Sequence, residues 1–395
     1  MQGNELASQV KGFSEPRRRF LPVDPLLALS AIGLIAFSAY VLNSATNNDI
    51  PGQPHFYVDR QVAYGVVGLI LMLLVARFDY SRIREWKIGL YAFMIASILF
   101  VYAVGGATRG SKRWIDFPFF KFQPSELGKV LLILALAGFV VDRVRRLHER
   151  DTTSAVMLAA VVPAILVVAE PDIGSGMVYI GVAFAVLFVA GTKWTHFAAL
   201  AALATAAVML VLVAAPAAGV NVLKPYQVDR LTAFLHPTDN PRKEGYQINQ
   251  SLTAVGSGGK TGRGDQATQT KLDFLPEHHT DFVFSVVGEE LGFIGAALVL
   301  SLYALMIWRC LRILTMAKNL YGALIAGGIT AMLMFQIFVN AGMTIGIMPI
   351  TGVPLPLMSY GGSSVLVTFL ALGLMQSIYA QAREVARAKS LNRVL

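Results

Sequence analysis

Charge is nearly absent from ten long stretches of this chain, and a polypeptide that repeatedly withholds charge for about 20 residues has few folds open to it. A helix of that length crosses the hydrocarbon core of a bilayer. Within lipid, only helices and closed barrels satisfy every backbone N–H and C=O. Breaks of charge, proline and glycine place the runs near residues 25–44, 61–76, 88–104, 124–141, 153–170, 174–190, 196–216, 281–308, 319–342 and 363–380. The pattern predicts an all-α polytopic membrane protein of about ten transmembrane helices, forming one integral domain over 1–395 with a long loop over 218–280. Composition agrees, because 55% hydrophobic and 14% charged residues exclude an ordinary soluble domain.

The net charge of +9 is a topology signal before it is anything else. With the N-terminus in the cytoplasm, 20 of the 33 Lys and Arg residues fall in cytoplasmic segments, and seven more lie in the long loop. Long loops count little in the positive-inside rule, so both termini are expected in the cytoplasm and nucleic acid drops out as a partner. Cys310 is the only cysteine, which precludes an intrachain disulfide. Arg17, Arg18 and Arg19 precede the first run as in a signal peptide, but a run from Leu26 to Ala45 suits a first spanning helix.

Four stretches carry the unusual chemistry. Gly105 to Phe122, GGATRGSKRWIDFPFFKF, joins Arg109, Lys112 and Arg113 to Trp114 and several phenylalanines, the composition of a segment at the headgroup level. FQPSELGKV follows, opening the fourth run with Glu126 and Lys129 on one helical face. That pair reads equally as a structural ion pair or as a holder of lipid diphosphate. EPDIGSG, Glu170 to Gly176, predicts a tight hairpin between the fifth and sixth runs. The fourth, LPEHHTDFVFSVVGEELGFIG, places Glu277, His278, His279 and Asp281 before the eighth run and Glu289 and Glu290 within it. A carboxylate at the mouth of a membrane helix is costly to desolvate, so Asp281 is either a boundary cap or a functional acid.

Two further segments shape the expectation. GMTIGIMPITGVPLPLMSYGGSS, Gly342 to Ser364, holds too much glycine and proline to stay helical and reads as a re-entrant or broken segment lining a cavity. Within the long loop, VDRLTAFL predicts a short amphipathic helix and YQINQSLTAVGSGG a second ending in glycine. Gly259, Lys260 and Thr261 resemble the end of a phosphate-binding loop, but Ala254 stands where its first glycine belongs, so GSGGKTGRG reads as a flexible turn. A metal site from Glu277, His278, His279 and Asp281 meets a geometric objection, since adjacent histidines in extended chain point to opposite sides. No tight metal site is assigned.

KRWIDFPFFKFQPSELGK, EPDIGSG, LPEHHTDFVFSVVGEELGFIG and GMTIGIMPITGVPLPLMSYGGSS, in that order, resemble the SEDS family (shape, elongation, division and sporulation) over nearly the whole chain. PITGVPLPLMSYGGSS and GLMQSI look more like its elongation branch than its division branch. The resemblance implies a peptidoglycan glycosyltransferase that polymerises lipid II at the outer face of a bacterial plasma membrane. By position, Asp281 matches the acidic residue the family needs for activity, Trp114 its outer-loop tryptophan, and Glu126 with Lys129 its charged pair. Glu170 stands where glutamine is common and Asp273 where glutamate is common.

The implied reaction has a sugar 4-hydroxyl attacking an anomeric carbon whose leaving group is a lipid diphosphate. A carboxylate that accepts the hydroxyl proton helps such a weak nucleophile, and Asp281 is the candidate base. The diphosphate needs charge stabilisation, which Lys129, Arg109, Lys112, Arg113 or a bound divalent cation, Mg²⁺ or Mn²⁺, would supply; no organic cofactor is expected. Trp114, Glu126 and Ser363 complete the expected substrate contacts, with the nascent glycan strand and membrane lipid as further ligands. The family also implies a class B penicillin-binding protein as crosslinking partner. A lipid II flippase and a non-catalytic scaffold compete with this reading; a flippase should carry its essential charges near the midplane.

Overall fold

The computed structural model describes residues 23–391, apart from 48, 105, 109–110, 118–119, 220–226, 229, 231–232, 235–243 and 273. Ten apolar helices match the ten runs. They are α1 Pro25–Ala45, α2 Phe56–Ala76, α3 Lys87–Val104, α4 Pro124–Asp142, α5 Arg150–Ala169, α6 Ile173–Val189, α7 Trp194–Met209, α9 Val283–Met316, α10 Leu320–Thr344 and α11 Gly362–Leu391, with α8 Glu244–Ser257 in the long loop. Nine of the ten are long and apolar enough to cross a membrane once the turns continuing α7 to Ala217 are included, and α6 is a shorter apolar helix of 17 residues.

The bundle is built around α4. Nearly every side chain from Pro124 to Gly138 is buried, on all faces, because α3, α6, α10 and α11 surround the helix. Such a helix must be apolar all round, which explains its run of Val, Leu, Ile and Ala. At the other extreme α7 buries no residue and stands at the periphery, its mean hydropathy of 2.6 fitting a lipid-facing surface.

Two ends of the bundle are tied differently. At one end Asp24 caps α1, accepting from the Leu27 amide at 2.9 Å, while its carboxylate receives the Arg309 guanidinium of α9. Gln376 of α11 closes the same knot, accepting from the Asp24 amide at 2.7 Å and donating to its carbonyl at 3.1 Å. At the other end lie the starts of α4, α6, α9 and α11 and the ordered loops.

Those loops depart from the sequence reading in two places, the segment after α3 and the glycine turn. Part of the segment after α3 is strand: β1 Gly106–Thr108, β2 Ser111–Asp116 and β3 Lys121–Phe122 form a small antiparallel sheet, with Gly106 opposite Trp114 and Ile115 opposite Phe122. The expected VDRLTAFL helix lies partly outside the described residues, whereas α8 covers the YQINQSLTAVGSGG stretch. The glycine turn is docked rather than free. Helix α9 breaks at Gly292, which has φ +64 and ψ −157, and the amides freed at the break are taken up by the turn: Phe293 N–H donates to the Gly259 carbonyl at 3.0 Å and Ile294 N–H to that of Lys260 at 3.2 Å. Arg263 N–H returns a bond of 2.8 Å to the Glu289 carbonyl.

This docking is backbone against backbone. A Cβ on Gly262, which has φ +85, would stand 2.1 Å from the Glu290 carbonyl oxygen, whereas one on Gly259, with φ +55, meets nothing within 4 Å. Gly259→Ala therefore adds conformational strain alone, about 1 kcal/mol, and Gly262→Ala adds strain and collision, about 3 kcal/mol. Thermal unfolding of the two purified variants should show the larger loss for Gly262→Ala; equal losses would mean the turn does not seat on α9.

Candidate functional site

Asp281 sits in the turn that leads into α9, partly exposed, one residue before the helix cap at Phe282. Glu277, at φ +56, reverses the chain so that its carbonyl collects the amides of Thr280, Asp281 and Phe282 at 3.1, 3.1 and 3.3 Å. The long connection between α10 and α11 runs past this turn. Asn340 of α10 donates through Nδ2 to both the Asp281 carbonyl, at 2.9 Å, and the Val353 carbonyl, at 2.8 Å. Ser359 Oγ donates to the Thr280 carbonyl at 2.6 Å, and Tyr360 N–H to the His279 carbonyl at 2.9 Å. The backbone at Gly352 comes close enough that an added Cβ would lie 3.6 Å from Asp281 Oδ2. The expected broken segment is thus real, and its role is to position the Asp281 turn.

Irregular backbone at membrane depth requires partners for its polar groups. Ser38 of α1 supplies one, donating to the Met358 carbonyl at 2.7 Å, and Gln61 of α2 reaches the Ser359 carbonyl at 3.3 Å. Tyr303 of α9 donates to the Pro356 carbonyl at 2.5 Å. On the side facing α6, a Cβ on Gly174 would meet the Thr351 carbonyl at 2.7 Å and a Val353 methyl at 2.4 Å, so the second residue of α6 must be glycine to let the segment pass.

Next to this lies a buried ionic group at the starts of α4 and α6. Lys129 Nζ and Glu126 Oε1 are 2.6 Å apart with side chains 1% and 4% exposed. Asp172 caps α6 by accepting from Ser175 N–H at 3.0 Å, and it also accepts from Gln123 Nε2 at 2.9 Å and Ser125 Oγ at 3.3 Å. Tyr179 donates to the Ser125 carbonyl at 3.1 Å. Glu170, buried beside them in the hairpin between α5 and α6, has its carboxyl pushed up to about 8 by desolvation and then by the charge of Asp172, with Arg113 pulling the other way. It is therefore mostly protonated at neutral pH. The small sheet is anchored to this group through Ser363, which accepts from Gln123 N–H at 2.9 Å and donates to the Lys121 carbonyl at 2.8 Å.

The expected site residues separate accordingly. Asp281 and Trp114 are partly exposed, as ligand contacts should be. Glu126 and Lys129 are closed on each other inside the bundle, and Ser363 makes two bonds to backbone. Arg113 lies close enough to Glu170 to act on its carboxyl. Arg109 and Asp273 fall outside the described residues, as does the side chain of Lys112. A chain of rings joins the parts: His279 packs on Tyr57 with centroids 4.6 Å apart, Tyr57 meets Tyr360 at 4.9 Å, and Tyr360 meets Tyr64 at 6.3 Å. The sequence reading missed Asn340, Gln61 and Ser38, apolar-run residues whose only signal was a polar group where lipid-facing helices have none, and Tyr57 just before the second run. A cleft of about 1120 Å³ between α3, α4 and α5 lies at the opposite end, lined by Lys87, Phe139, Arg143 and Leu158, and belongs to none of this.

With the geometry in view, relatives can be weighed. The model of the FtsW/RodA/SpoVE family, described as cell cycle proteins, matches residues 21–384. The peptidoglycan glycosyltransferase MrdB of Escherichia coli K12 is 36% identical, over 93% of this chain and 96% of its own. A chain from a solved peptidoglycan synthase complex superposes with a TM-score of 0.78 at 30% identity, covering 92% of this chain and 99% of that one. The rod shape determining protein RodA of Thermus thermophilus gives 0.65 at 28% identity, covering 92% and 98%. A match of this extent, over residues 21–384, shows that the chain belongs to the FtsW/RodA/SpoVE family, the SEDS family that its motifs resemble.

Proposed function

We propose that this multi-pass membrane protein is a peptidoglycan glycosyltransferase that polymerises lipid II at the outer face of a bacterial plasma membrane, in cell elongation. The observation that carries the reading is the placement of Asp281: a partly exposed carboxylate whose backbone is held by Glu277, Asn340 and Ser359, at the end of the bundle where the helices are broken. The family relationship supports the transferase, and the elongation role rests on the names MrdB and RodA.

In this reading Asp281 takes the proton of the acceptor sugar's 4-hydroxyl as its oxygen bonds to the donor's anomeric carbon. The bond from that carbon to the diphosphate breaks, and the diphosphate leaves with the electron pair. The carboxylate is useful because the turn that carries it is held before substrate arrives. Arg113, on β2 beside the starts of α4 and α6, is the described cation best placed to meet the leaving group; Lys129 is committed to Glu126. Trp114, its neighbour on β2, offers a flat face to a sugar ring. A class B penicillin-binding protein is the crosslinking partner, as the solved synthase complex suggests by its coordination of polymerisation with crosslinking.

Glycan-chain formation from purified lipid II, with the cognate partner bound and its own chemistry blocked, tests the base. Asp281→Asn should fold normally and lose about 100-fold or more of the rate, within the range for one general base. Full activity in that variant would remove Asp281 from the chemistry. The structural role of the ionic group makes a separate expectation. Lys129→Met leaves Glu126 buried without its partner and should cost about 3–5 kcal/mol, whereas Lys129→Met combined with Glu126→Gln should recover much of that loss. Unfolding midpoints of the two variants decide it, since a lysine used to hold diphosphate would leave the double variant folded no better than the single one.

A further inference from the structure

Asp49, His278 and His279 have no part in the mechanism above, yet they converge. Asp49 lies in the connection from α1 to α2, and its Oδ2 stands 3.2 Å from His278 Nε2 and 3.9 Å from His279 Nδ1. One ligand atom from each side chain lies within 4.8 Å of the other two. Extended chain would send adjacent histidines apart, as the sequence reading assumed, but residues 276–282 form a turn. Its reversal at Glu277 brings both rings to Asp49 with centroids 5.2 Å apart.

Hydrogen bonding fixes what these atoms offer. His278 Nδ1 is 3.2 Å from the Leu275 carbonyl oxygen, an acceptor that only an N–H can satisfy. A proton on Nδ1 leaves Nε2 with a lone pair aimed at a carboxylate oxygen. Two such atoms at that distance repel each other unless a metal ion or a second ring proton lies between them. A backbone carbonyl holding the far nitrogen is also the usual outer partner of a metal-ligating histidine. His279 is steadied by its contact with Tyr57. Donors on one tetrahedral ion at about 2.0–2.2 Å sit about 3.3–3.6 Å from one another, and the two spacings to Asp49, 3.2 and 3.9 Å, bracket that range.

We propose that Asp49, His278 and His279 bind a divalent transition-metal ion, of the class from Mn²⁺ to Zn²⁺, with water at the remaining positions. Two imidazoles and one carboxylate favour those ions over Mg²⁺, which prefers oxygen and strict octahedral geometry. The site is reachable: His278 is buried, but the side chains of Asp49 and His279 are each 18% exposed. Occupancy would clamp the α1–α2 connection to the turn that carries Asp281. The proposal does not depend on Asp281 being the base, because it is read from metal occupancy.

The full chain in detergent, stripped with a chelator, is titrated separately with Zn²⁺, Mn²⁺ and Mg²⁺ by calorimetry, and metal content is measured after gel filtration. Expected are one retained equivalent of Zn²⁺, a rise in unfolding temperature with Zn²⁺ and none with Mg²⁺ at equal concentration, and affinity weakened at least about 10-fold in Asp49→Asn and in His278→Gln. Asp49→Asn alters a side chain at the rim and tests the site even where loss of the buried ring disturbs the turn. Asp281→Asn should keep its metal. No retained equivalent, retention unchanged in Asp49→Asn, or a stability that responds to pH but not to metal would overturn the proposal, the last result marking a plain imidazolium–carboxylate pair.

Discussion

Burying Lys129 in the most enclosed helix of the bundle sets the terms for everything around it. An ammonium and a carboxylate taken out of water each cost several kcal/mol, and their attraction repays this only in good geometry with further hydrogen bonds nearby. Glu126 supplies the partner at 2.6 Å. Two more acids, Asp172 and Glu170, follow in the hairpin just beyond, and the structure handles them in different ways. Asp172 is satisfied by Gln123, Ser125 and the amide of Ser175. Burial pushes the Glu170 carboxyl up to about 8, toward its neutral form. With one acid paired, one solvated by donors and one neutral, α4 and α6 can start side by side, and Ser363 can pin α11 to the same point.

The broken segment between α10 and α11 meets the same constraint from the side of the backbone. Its carbonyls cannot be left bare at membrane depth. Serine, glutamine, asparagine and tyrosine side chains from α1, α2, α9 and α10 reach in to satisfy them, which is why Ser38, Gln61, Tyr303 and Asn340 interrupt otherwise apolar helices. The segment's irregularity is thereby made rigid. Asn340 bonds it and the Asp281 turn with one amide group, so the candidate base is oriented by a helix on one side and a fixed loop on the other.

Periodicity and length made the ten spans legible in the sequence, since an apolar run of bilayer length has one regular solution, and glycine with proline announced the break after α10. Asp281 was legible too, as a charge at a helix mouth. What could not be read were the pairings between distant segments. GSGGKTGRG looks like a free turn until α9 is seen to break at Gly292 beneath it, and neither sequence signals the other. Lys129 looks as apt for a diphosphate as for Glu126, because spacing gives the helix face and not its depth. Two adjacent histidines look divergent until a reversal at Glu277 turns both toward Asp49, an exposed-looking residue of another loop.

The two ends of the bundle now read as a division of labour. Asp24, Arg309 and Gln376 tie α1, α9 and α11 with a charged, capped knot at one end, where the chain emerges as continuous helices. At the other end α9 is kinked, α11 begins only after a long irregular approach, and α4 and α6 start beside a shared ionic group. Helix starts leave unbonded amides and aligned dipoles. Here the start of α6 is capped by Asp172, and polar side chains drawn from α1, α2, α9 and α10 bond the irregular backbone beside it. A glycosyltransferase needs such an end, fixed by buried bonds yet partly exposed, while the knot of Asp24, Arg309 and Gln376 holds the spans in place at the opposite end.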